Sequence, residues 1–351
     1  MPVSSIMSAI LPAAGRGVDY VAGNRPASAA VARGRPAHRF RIGRREPKRS
    51  GVARVSVDEP EEQENAMTNL QPFYRQVQAH YDLSDEFYAL FLDPTMTYSC
   101  AWFQRSDMTL EQAQRAKIDL ALGKLDLRPG MTLLDVGCGW GSTMLRAATA
   151  YGAAVVGLTL SRNQYDYVRD AIERERIPGA QVRLQGWEEF DGEVDRIVSI
   201  GAFEHFRRSR YETFFQRCHR MLPPDGRMLL HTIVGWTLKD LRRMNIPVTR
   251  DDALFQIFIK REIFPGGQLP HPAEVTRLAG RAGFGTEKMQ ELRPHYARTL
   301  DCWAEALRAH REEAIALASE EVYLRYLKYL TGCAEQFRAG RVDVVQFTLV
   351  K

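Results

Sequence analysis

The sequence predicts an α/β fold whose centre is a seven-stranded, mostly parallel sheet with helices on both faces. First, short apolar runs alternate with helix-like segments from residue 132 onward, a pattern typical of a parallel sheet covered by helices. Second, the stretch LLDVGCGWGSTMLRAA (133–148) passes through three closely spaced glycines into helical periodicity, which indicates a strand, a tight turn and a helix. Third, 351 residues with 45% hydrophobic and 26% charged residues are typical of a soluble globular chain with one large domain or two small ones.

The individual elements follow from local periodicity along the chain. Thr109 and Gln112 have the spacing of a capping box and begin a helix. The apolar stripe of that helix consists of Ile118, Leu120, Leu122 and Leu125. Strands are predicted at 132–136, 153–158, 181–185, 194–200, 227–233, 284–292 and 342–350. Helices are predicted from Ser142 onward and over 161–175, 208–221, 238–263, 272–282 and 298–338. A helical insert of about 236–282 is expected to cover the edge of the sheet as a lid.

The first 66 residues differ in composition from the rest and are predicted to form a disordered basic extension. Residues 1–57 contain eleven Arg or Lys residues against two acidic ones, residues 58–66 contain five acidic residues, and neither part keeps a regular periodicity. The folded domain is therefore expected to span 67–351, with Met67 as the working N-terminus. An arm that contacts a membrane surface or an acidic partner is the alternative.

Charge, apolar runs and cysteines exclude several classes of protein. The formal net charge of +5 leaves only +1 from Met67 onward, so the folded part has no electrostatic footprint for nucleic acid. No apolar run approaches the roughly 20 residues that span a bilayer, which limits membrane contact to a peripheral one. The five cysteines are odd in number, widely spaced and without a CxxC pair. Free thiols in a cytoplasmic protein are therefore expected, with no disulfide and no metal site.

The spacing of the three glycines separates the classes of nucleotide site that such a turn can build. The turn lies beyond the carboxyl end of a strand, where parallel α/β sheets bind ligands. A P-loop would end in GK[ST], and a dinucleotide fingerprint would need its third glycine five positions after the first. Gly137, Gly139 and Gly141 follow G-x-G-x-G instead, which argues against an NAD-dependent oxidoreductase. A purely structural turn is the alternative.

The segment LLDVGCGWG resembles the first motif of the class I S-adenosylmethionine (SAM) methyltransferases, which have a Rossmann-like fold. The resemblance implies SAM as the cofactor, with its methionine part against the bare backbone of the glycines. Thr159 stands where this class commonly has an acid, so Thr159 and Gln164 are expected to bind the ribose hydroxyls. Trp187 is expected to stack on the adenine, with core packing as its alternative, and Glu188 to accept from the adenine amine. The expected cofactor-binding residues are Tyr98, Asp135, Gly137, Gly139, Gly141, Thr159, Leu160, Gln164, Gly186, Trp187 and Glu188.

Further motifs occur in a fixed order along the chain. They are YDLSDEFYALFLDPTMTYSCAWF, VVGLTLSRNQ, GWEEFDGEVDRIVSIGAFEHF, MLLHTI, EIFPGGQLP, PHYARTLDCWAEAL and YLKYLTGCAEQFR. With the glycine motif they resemble the cyclopropane-fatty-acid synthase family, and within it the mycobacterial cyclopropane mycolic acid synthases and mycolic acid methyltransferases. The resemblance covers 67–351. It implies methyl or methylene transfer from SAM to the cis double bond of a long unsaturated acyl chain, through a carbocation.

The resemblance also implies a catalytic group around a bound bicarbonate that acts as general base. Its ligands correspond to the backbone amides of Cys100 and Ile233, the imidazole of His231, the hydroxyl of Tyr296 and the carboxylate of Glu204. The alternative for each residue is an ordinary structural role, such as a buried thiol for Cys100. The expected substrate is an acyl chain on acyl carrier protein rather than on a phospholipid. An apolar cluster of the insert is expected to cover this acyl chain. This cluster consists of Leu254, Phe255, Ile257, Phe258 and Ile259.

Two other functions are compatible with parts of the sequence. One is SAM-dependent methylation of an oxygen or nitrogen nucleophile on a small molecule, which would not require the five residues around the anion. The other is a catalytically silent partner with the same fold that contributes lipid binding. Within the family, the same carbocation gives a cyclopropane, a methyl branch or a hydroxylated chain, and the motifs leave this choice, the chain length and the oligomeric state open.

Overall fold

The computed structural model describes residues 70–72 and 83–351, so the predicted disorder of 1–66 lies outside the described residues. The described part contains one sheet of seven strands in the order β3-β2-β1-β4-β5-β7-β6. The strands are β1 (Thr132–Val136), β2 (Ala154–Thr159), β3 (Ala180–Leu184), β4 (Arg196–Ile200), β5 (Arg227–Gly235), β6 (Gly285–Glu291) and β7 (Val342–Val350). The first five pair in parallel, and β7 runs antiparallel to β5 and β6. The predicted seven-stranded, mostly parallel sheet is confirmed.

In the described part, helices pack on the sheet and form two large apolar cores beside a smaller cluster around Phe103. The described α-helices are α1 (Asp85–Ala89), α2 (Leu110–Lys124), α3 (Ser142–Tyr151), α4 (Arg162–Glu175), α5 (Tyr211–Met221), α6 (Leu238–Arg243), α7 (Arg250–Phe258), α8 (Pro272–Arg281), α9 (Arg293–Ala309), α10 (Arg311–Leu317) and α11 (Glu320–Arg338). One core contains Ile118 of α2 and Met144 of α3. The other contains Trp303 of α9 and Leu330 of α11. Over the described ranges, no helix has the length and apolarity to cross a membrane.

The helix predicted over 298–338 is three helices in the structure. It begins earlier, at Arg293, and α9 ends at Ala309, because the backbone angles of the next residue, His310, leave the helical region. A new helix, α11, begins after Ser319, whose hydroxyl accepts a hydrogen bond from the Val322 N–H at 3.2 Å. The sequence prediction was wrong about continuity because apolar periodicity continues through such breaks, whereas a cap depends on one local hydrogen bond.

The helix predicted over 238–263 is interrupted in the same way. Asn245 follows α6 with a φ of +55°, a left-handed conformation that a continuous helix does not allow. Thr249 then caps α7. The last part of the stretch, Ile259–Ile263, is a π-helix, a form that is frequent at functional sites.

The insert is attached to the carboxyl edge of the sheet by backbone hydrogen bonds. Gln268 N–H donates to the carbonyl of Glu204 at 2.9 Å, and Gly235 N–H donates to the carbonyl of Pro270 at 2.9 Å. Asp252 at the start of α7 forms a salt bridge of 3.2 Å with Arg341, just before β7. The insert is therefore joined to the carboxyl edge of the sheet, and its role as a lid stays a prediction.

Thr109→Ala is expected to lower the free energy of unfolding by about 1 kcal/mol. The Thr109 hydroxyl accepts from the Gln112 N–H at 3.2 Å, and the Gln112 side chain accepts from the Thr109 N–H at 3.1 Å, which confirms the predicted capping box. Because Thr109 is exposed, the change removes the cap and little packing. Denaturant unfolding followed by circular dichroism measures the loss, with Thr109→Ser as the control that keeps the hydroxyl. Equal losses in both variants would contradict the capping role.

Candidate active site

The carboxyl ends of β1 to β4 border a cleft with about 1000 Å³ of unfilled space. Because the carboxyl ends of parallel strands meet at one edge of a sheet, residues far apart in sequence come together there. Of the expected cofactor-binding residues, the cleft is lined by Tyr98, Asp135, Gly137, Gly139, Thr159, Leu160, Gln164, Gly186, Trp187 and Glu188. Gly141 does not line the cleft; it is the N-cap residue of α3, with a φ of +88°.

Gly137 and Gly139 keep the backbone of the turn bare for different reasons. Gly137 has a φ of +80°, and a Cβ atom there would lie 2.3 Å from Cβ of Ala202 in the loop after β4. Gly139 has a φ of +57°, and a Cβ atom there would meet no atom within 4 Å. A side chain at position 137 would therefore collide with protein, whereas one at position 139 would enter unfilled space beside the cleft.

Thr159 and Gln164 lie together at the end of β2, and both are buried. The Thr159 hydroxyl donates to Oε1 of Gln164 at 2.8 Å, and the Ser161 N–H donates to the Thr159 hydroxyl oxygen at 3.2 Å. The pair therefore forms a fixed polar surface, and the amide group of Gln164 offers donors to a hydroxyl group. Their assignment to ribose stays a prediction.

Trp187 and Glu188 follow β3, and each side chain contacts another residue of the protein as well as lining the cleft. The Trp187 ring lies 5.2 Å from the Phe214 ring, between centroids, in an edge arrangement, and its Nε1 is buried with no partner in the described part. Glu188 accepts from Arg210 at 2.9 Å through Oε1, and its Oε2 is buried with no such partner. Burial raises the pKa of Glu188. Trp187 therefore packs against the core and also lines the cleft.

Lys117 lines the cleft and is fully buried, which the sequence does not indicate, since a lysine in an amphipathic helix is expected at the surface. Its Nζ donates to the hydroxyl of Ser99 at 2.9 Å, and burial lowers its pKa to about 8. Burial raises the pKa of Asp135 to about 7, although the nearby Lys117 opposes this shift. A buried amine and a buried carboxyl on one cleft suit a ligand with an amino-acid group.

A second cavity, with about 1650 Å³ of unfilled space, adjoins the cleft. Tyr98, Ser99, Gly201 and His205 line both spaces and form their common wall. The apolar part of the second cavity is lined by Phe255, Ile259, Phe264, Leu269, Phe337, Val342 and Val344. A large cavity with a mostly apolar lining and few polar groups suits a long alkyl chain.

All five expected catalytic residues line this second cavity: Cys100, Glu204, His231, Ile233 and Tyr296. The carboxylate of Glu204 accepts from the Ile233 N–H at 2.6 Å through Oε1, while Oε2 is buried with no partner in the described part. Burial raises the pKa of Glu204 to about 7. The Ile233 amide, expected to bind the anion directly, is thus hydrogen-bonded to Glu204 in the structure, because the two strand ends bring them together.

His231 lies in β5 beside the cavity and is buried. Its Nδ1 is 3.2 Å from the amide nitrogen of Gln346, and its Nε2 is buried with no hydrogen-bond partner in residues 70–72 and 83–351. Burial lowers the pKa of His231 well below its usual value. The ring is therefore neutral at physiological pH and has one nitrogen available to a ligand.

Tyr296 and Cys100 approach the cavity from α9 and from the segment before α2. The Tyr296 ring packs 4.7 Å from the Phe337 ring, between centroids, in the first turn of α9. The Cys100 thiol donates to the carbonyl of Ala101 at 3.1 Å, and burial raises its pKa well above the usual value. The thiol stays protonated, so Cys100 is not a nucleophile and could serve the site only through its backbone.

The apolar cluster of the insert is only partly as predicted. Phe255 and Ile259 line the second cavity, but Leu254 is 51% exposed. Phe258 packs under Lys328, whose Nζ lies 4.3 Å from the ring centroid. The five residues cannot share one face because they are nearly consecutive on a helix.

Tyr329 of α11 lines the second cavity and was not predicted from the sequence. Its hydroxyl accepts from the hydroxyl of Tyr98 at 3.1 Å, which joins it to the common wall. Burial raises the pKa of both hydroxyls well above 10, so both stay protonated. Only its place in the motif YLKYLTGC could have indicated it.

Glu204→Gln is expected to stabilise the protein most at high pH. Because burial raises the pKa of Glu204 from 4.5 to about 7, the folded protein binds this proton more tightly than the unfolded chain. The free energy of unfolding should therefore fall between about pH 4.5 and about pH 7 in the wild type, by on the order of 3 kcal/mol, and this contribution should be absent in the variant.

Thermal unfolding of both proteins at about pH 5 and about pH 8 measures this difference. Asp135, whose pKa burial also raises to about 7, titrates in both proteins and cancels in the comparison. A difference in Tm that stays constant with pH would contradict a buried Glu204 carboxyl that retains its proton.

Comparison with known proteins places the chain in one family. Residues 68–347 match the family described as mycolic acid cyclopropane synthetase. Cyclopropane mycolic acid synthase 1 of Mycobacterium tuberculosis is 59% identical over 283 residues, which cover 80% of this chain and 99% of that protein. The structure of the cyclopropane synthase MmaA2 from Mycobacterium tuberculosis is 59% identical, with a TM-score of 0.80 over 81% of this chain and 100% of that chain.

A crystal structure of the mycolic acid cyclopropane synthase CmaA1 complexed with SAH and CTAB is also 59% identical. It matches with a TM-score of 0.78 over 80% of this chain and 99% of that chain. The fold is thus that of SAM-dependent methyltransferases, and the chain belongs to the mycolic acid cyclopropane synthetase family.

Proposed function

We propose that this protein transfers a methyl or methylene group from SAM to the cis double bond of a long unsaturated acyl chain. The observation that carries the proposal is the common wall between two differently lined spaces. One is the polar cleft beside the glycine turn, and the other is the large, mostly apolar cavity with the Glu204 and His231 side chains. A methyl donor in the cleft and an alkene in the cavity would meet at Tyr98 and His205.

The residues of the cleft fit SAM, which supplies an electrophilic methyl group on its sulfonium. Among the residues that line the cleft, three buried side-chain atoms have no hydrogen-bond partner in the described chain: Asp135 Oδ2, Trp187 Nε1 and Glu188 Oε2. Because unpartnered buried polar atoms are costly, a polar ligand is the natural partner for them. Glu188 would accept from the adenine amine, Thr159 and Gln164 would bind the ribose, and the bare backbone at Gly139 would admit the methionine part.

The second cavity fits the acyl chain. An alkene is a poor nucleophile, so the site must align it with the methyl group and exclude water. The cavity is closed on one side by the insert through Phe255, Ile259 and Phe264. CTAB in the CmaA1 complex supports this assignment, since it combines a long alkyl chain with a cationic head. We propose an acyl carrier protein as the carrier, because Lys260 at the cavity wall and the adjacent Arg261 suit an acidic partner.

The polar residues of the cavity fit the charge that would develop on the chain. Glu204 would offset a carbocation through the ionised form of its carboxyl group, which carries an unpartnered oxygen and which a positive charge beside it would favour. Tyr98 and Tyr329 add aromatic surface along the common wall, and aromatic faces attract cations. The protonated state of both hydroxyls keeps them from capturing the cation as phenolates.

The same residues fit a bicarbonate ion, which would supply the base that removes a proton to close the ring. The two unpartnered atoms at this end of the cavity are His231 Nε2 and Glu204 Oε2. Bicarbonate has oxygens that accept and one hydroxyl that donates, so it would match a donor on His231 and an acceptor on Glu204. Tyr296 and the backbone of Cys100 would complete the site, and the Ile233 N–H would act through the carboxylate that it holds.

The other two functions fit less well. A methyltransferase for a small oxygen or nitrogen nucleophile has no use for an apolar cavity of about 1650 Å³. A silent partner would have no reason to retain several buried polar atoms without partners, since each costs about 1–3 kcal/mol.

Mass spectrometry of total lipids from a mycobacterial host, with and without this gene expressed, tests the proposal. Unsaturated acyl chains should gain one methylene, and proton NMR should separate a cyclopropane from a methyl-branched alkene. Gain of a methyl and a hydroxyl group would indicate capture of the cation by water. Unchanged lipids, despite SAM binding by the purified protein, would contradict the proposed substrate.

Tyr296→Phe is expected to reduce turnover of the lipid substrate about a hundredfold, because it removes a hydroxyl from the proposed anion site. Tyr323→Phe is a matched control, since Tyr323 is also buried but lines neither cavity. Tm and SAM affinity should match those of the wild type in both variants. Full turnover in Tyr296→Phe would exclude the bicarbonate-centred site.

A further inference from the structure

We infer that Gln346 and Lys124 act as positioning residues that fix His231 in one neutral tautomer, with its proton on Nε2 and its Nδ1 lone pair bound. The inference deepens the proposed function and rests on it where it concerns the reaction. It assigns roles to two residues outside the expected anion site. It also decides which group in the cavity can act as the base.

The three side chains form a chain of hydrogen bonds behind the cavity. His231 of β5 and Gln346 of β7 are direct partners in the antiparallel strand pair. The Gln346 amide nitrogen lies 3.2 Å from His231 Nδ1, and the Gln346 amide oxygen accepts from Lys124 Nζ at 2.6 Å. Gln346 and His231 are buried, with 0% and 2% exposure, so water does not compete for the bond between them, whereas Lys124 is half-buried.

Elementary donor and acceptor rules then determine the tautomer. The Lys124 ammonium can only donate, so it must face the oxygen of the Gln346 amide rather than the nitrogen. The amide nitrogen, which also can only donate, is therefore the atom that faces His231 Nδ1. Nδ1 must accept this bond, so a neutral ring carries its proton on Nε2. A charged ring would place two donors opposite each other, and burial also disfavours it.

The tautomer determines what His231 can do in the cavity. His231 lines the cavity, and its Nε2 is buried with no hydrogen-bond partner in the described chain. An Nε2–H group can donate to an oxygen of a bound anion, but it cannot remove a proton from the substrate. His231 can thus donate a hydrogen bond to a bound anion but cannot act as a base. In the proposed reaction, the base must be the anion that His231 binds.

Nitrogen-15 NMR of the full chain labelled at histidine tests the tautomer directly, because protonated and unprotonated ring nitrogens have clearly different shifts. The His231 signals are assigned by their loss in His231→Gln. We expect Nε2 protonated and Nδ1 unprotonated in the wild type. An Nδ1–H tautomer or a doubly protonated ring in the wild type would overturn the inference.

Variants separate positioning from simple structural support. Gln346→Met should give a mixture of tautomers and lower kcat by about tenfold, the lower end of the loss seen when the orienting partner of a metal-ligating histidine is removed. Lys124→Met should shift the tautomers in the same direction, and Lys124→Arg, which keeps a donor, should restore the wild-type pattern. Gln290→Met is the matched control, because Gln290 lies opposite Gln346 on β6 and has no place in the chain of bonds.

The outcomes separate this inference from the proposed function. A single Nε2–H tautomer in Gln346→Met, or a kcat equal to that of Gln290→Met, would overturn the positioning role. If Gln346→Met fails to fold, the comparison of Lys124→Met with Lys124→Arg decides the same question. A wild type with the expected tautomer but no lipid product would reject the proposed substrate and leave the tautomer assignment intact.

Discussion

The hydrogen bond from the Ile233 N–H to the Glu204 carboxylate fixes the point where the sheet, the insert and the second cavity come together. It joins the loop after β4 to β5 at 2.6 Å. The backbone of the same residue continues the connection, since the Glu204 carbonyl accepts from Gln268 of the insert at 2.9 Å. Glu204 thus contacts both β5 and the insert that covers the cavity, beside the attachments at Gly235 and Arg341. Because the bond uses only one carboxyl oxygen, the other is left to a ligand.

At the carboxyl edge of the sheet, stable strands lie beside buried polar side-chain atoms that have no hydrogen-bond partner in the described part of the protein. In the strands, hydrogen bonds between neighbours satisfy the backbone, and apolar cores on the sheet provide the stability. Asp135 of β1, Glu204 after β4 and His231 of β5, beside the end of β4, are buried, and their pKa values shift toward the neutral forms. Such groups are retained at a cost in stability where a ligand or a reaction requires them.

Short-range patterns made much of the fold predictable from sequence. The glycine turn, the strands and the capping box at Thr109 each depend on a few neighbouring residues, and the structure confirms them. The helix breaks at Asn245 and Ser319 were missed because apolar periodicity continues through them. The burial of Lys117 and the position of Gln346 beside His231 depend on packing between distant segments, which no local pattern records. The bicarbonate site, the carrier protein, the cytoplasmic location and the absence of a metal stay predictions.

In the proposed reaction, the methyl donor and the acyl chain meet across the common wall of the two spaces. A crystal structure of the full chain with SAH and a long-chain alkylammonium surfactant tests it most directly. SAH is expected in the cleft against the turn at Gly137, with its sulfur toward Tyr98, and the alkyl chain in the second cavity with its cationic head beside Glu204. An alkyl chain bound outside that cavity, or an SAH sulfur directed away from it, would contradict the claim.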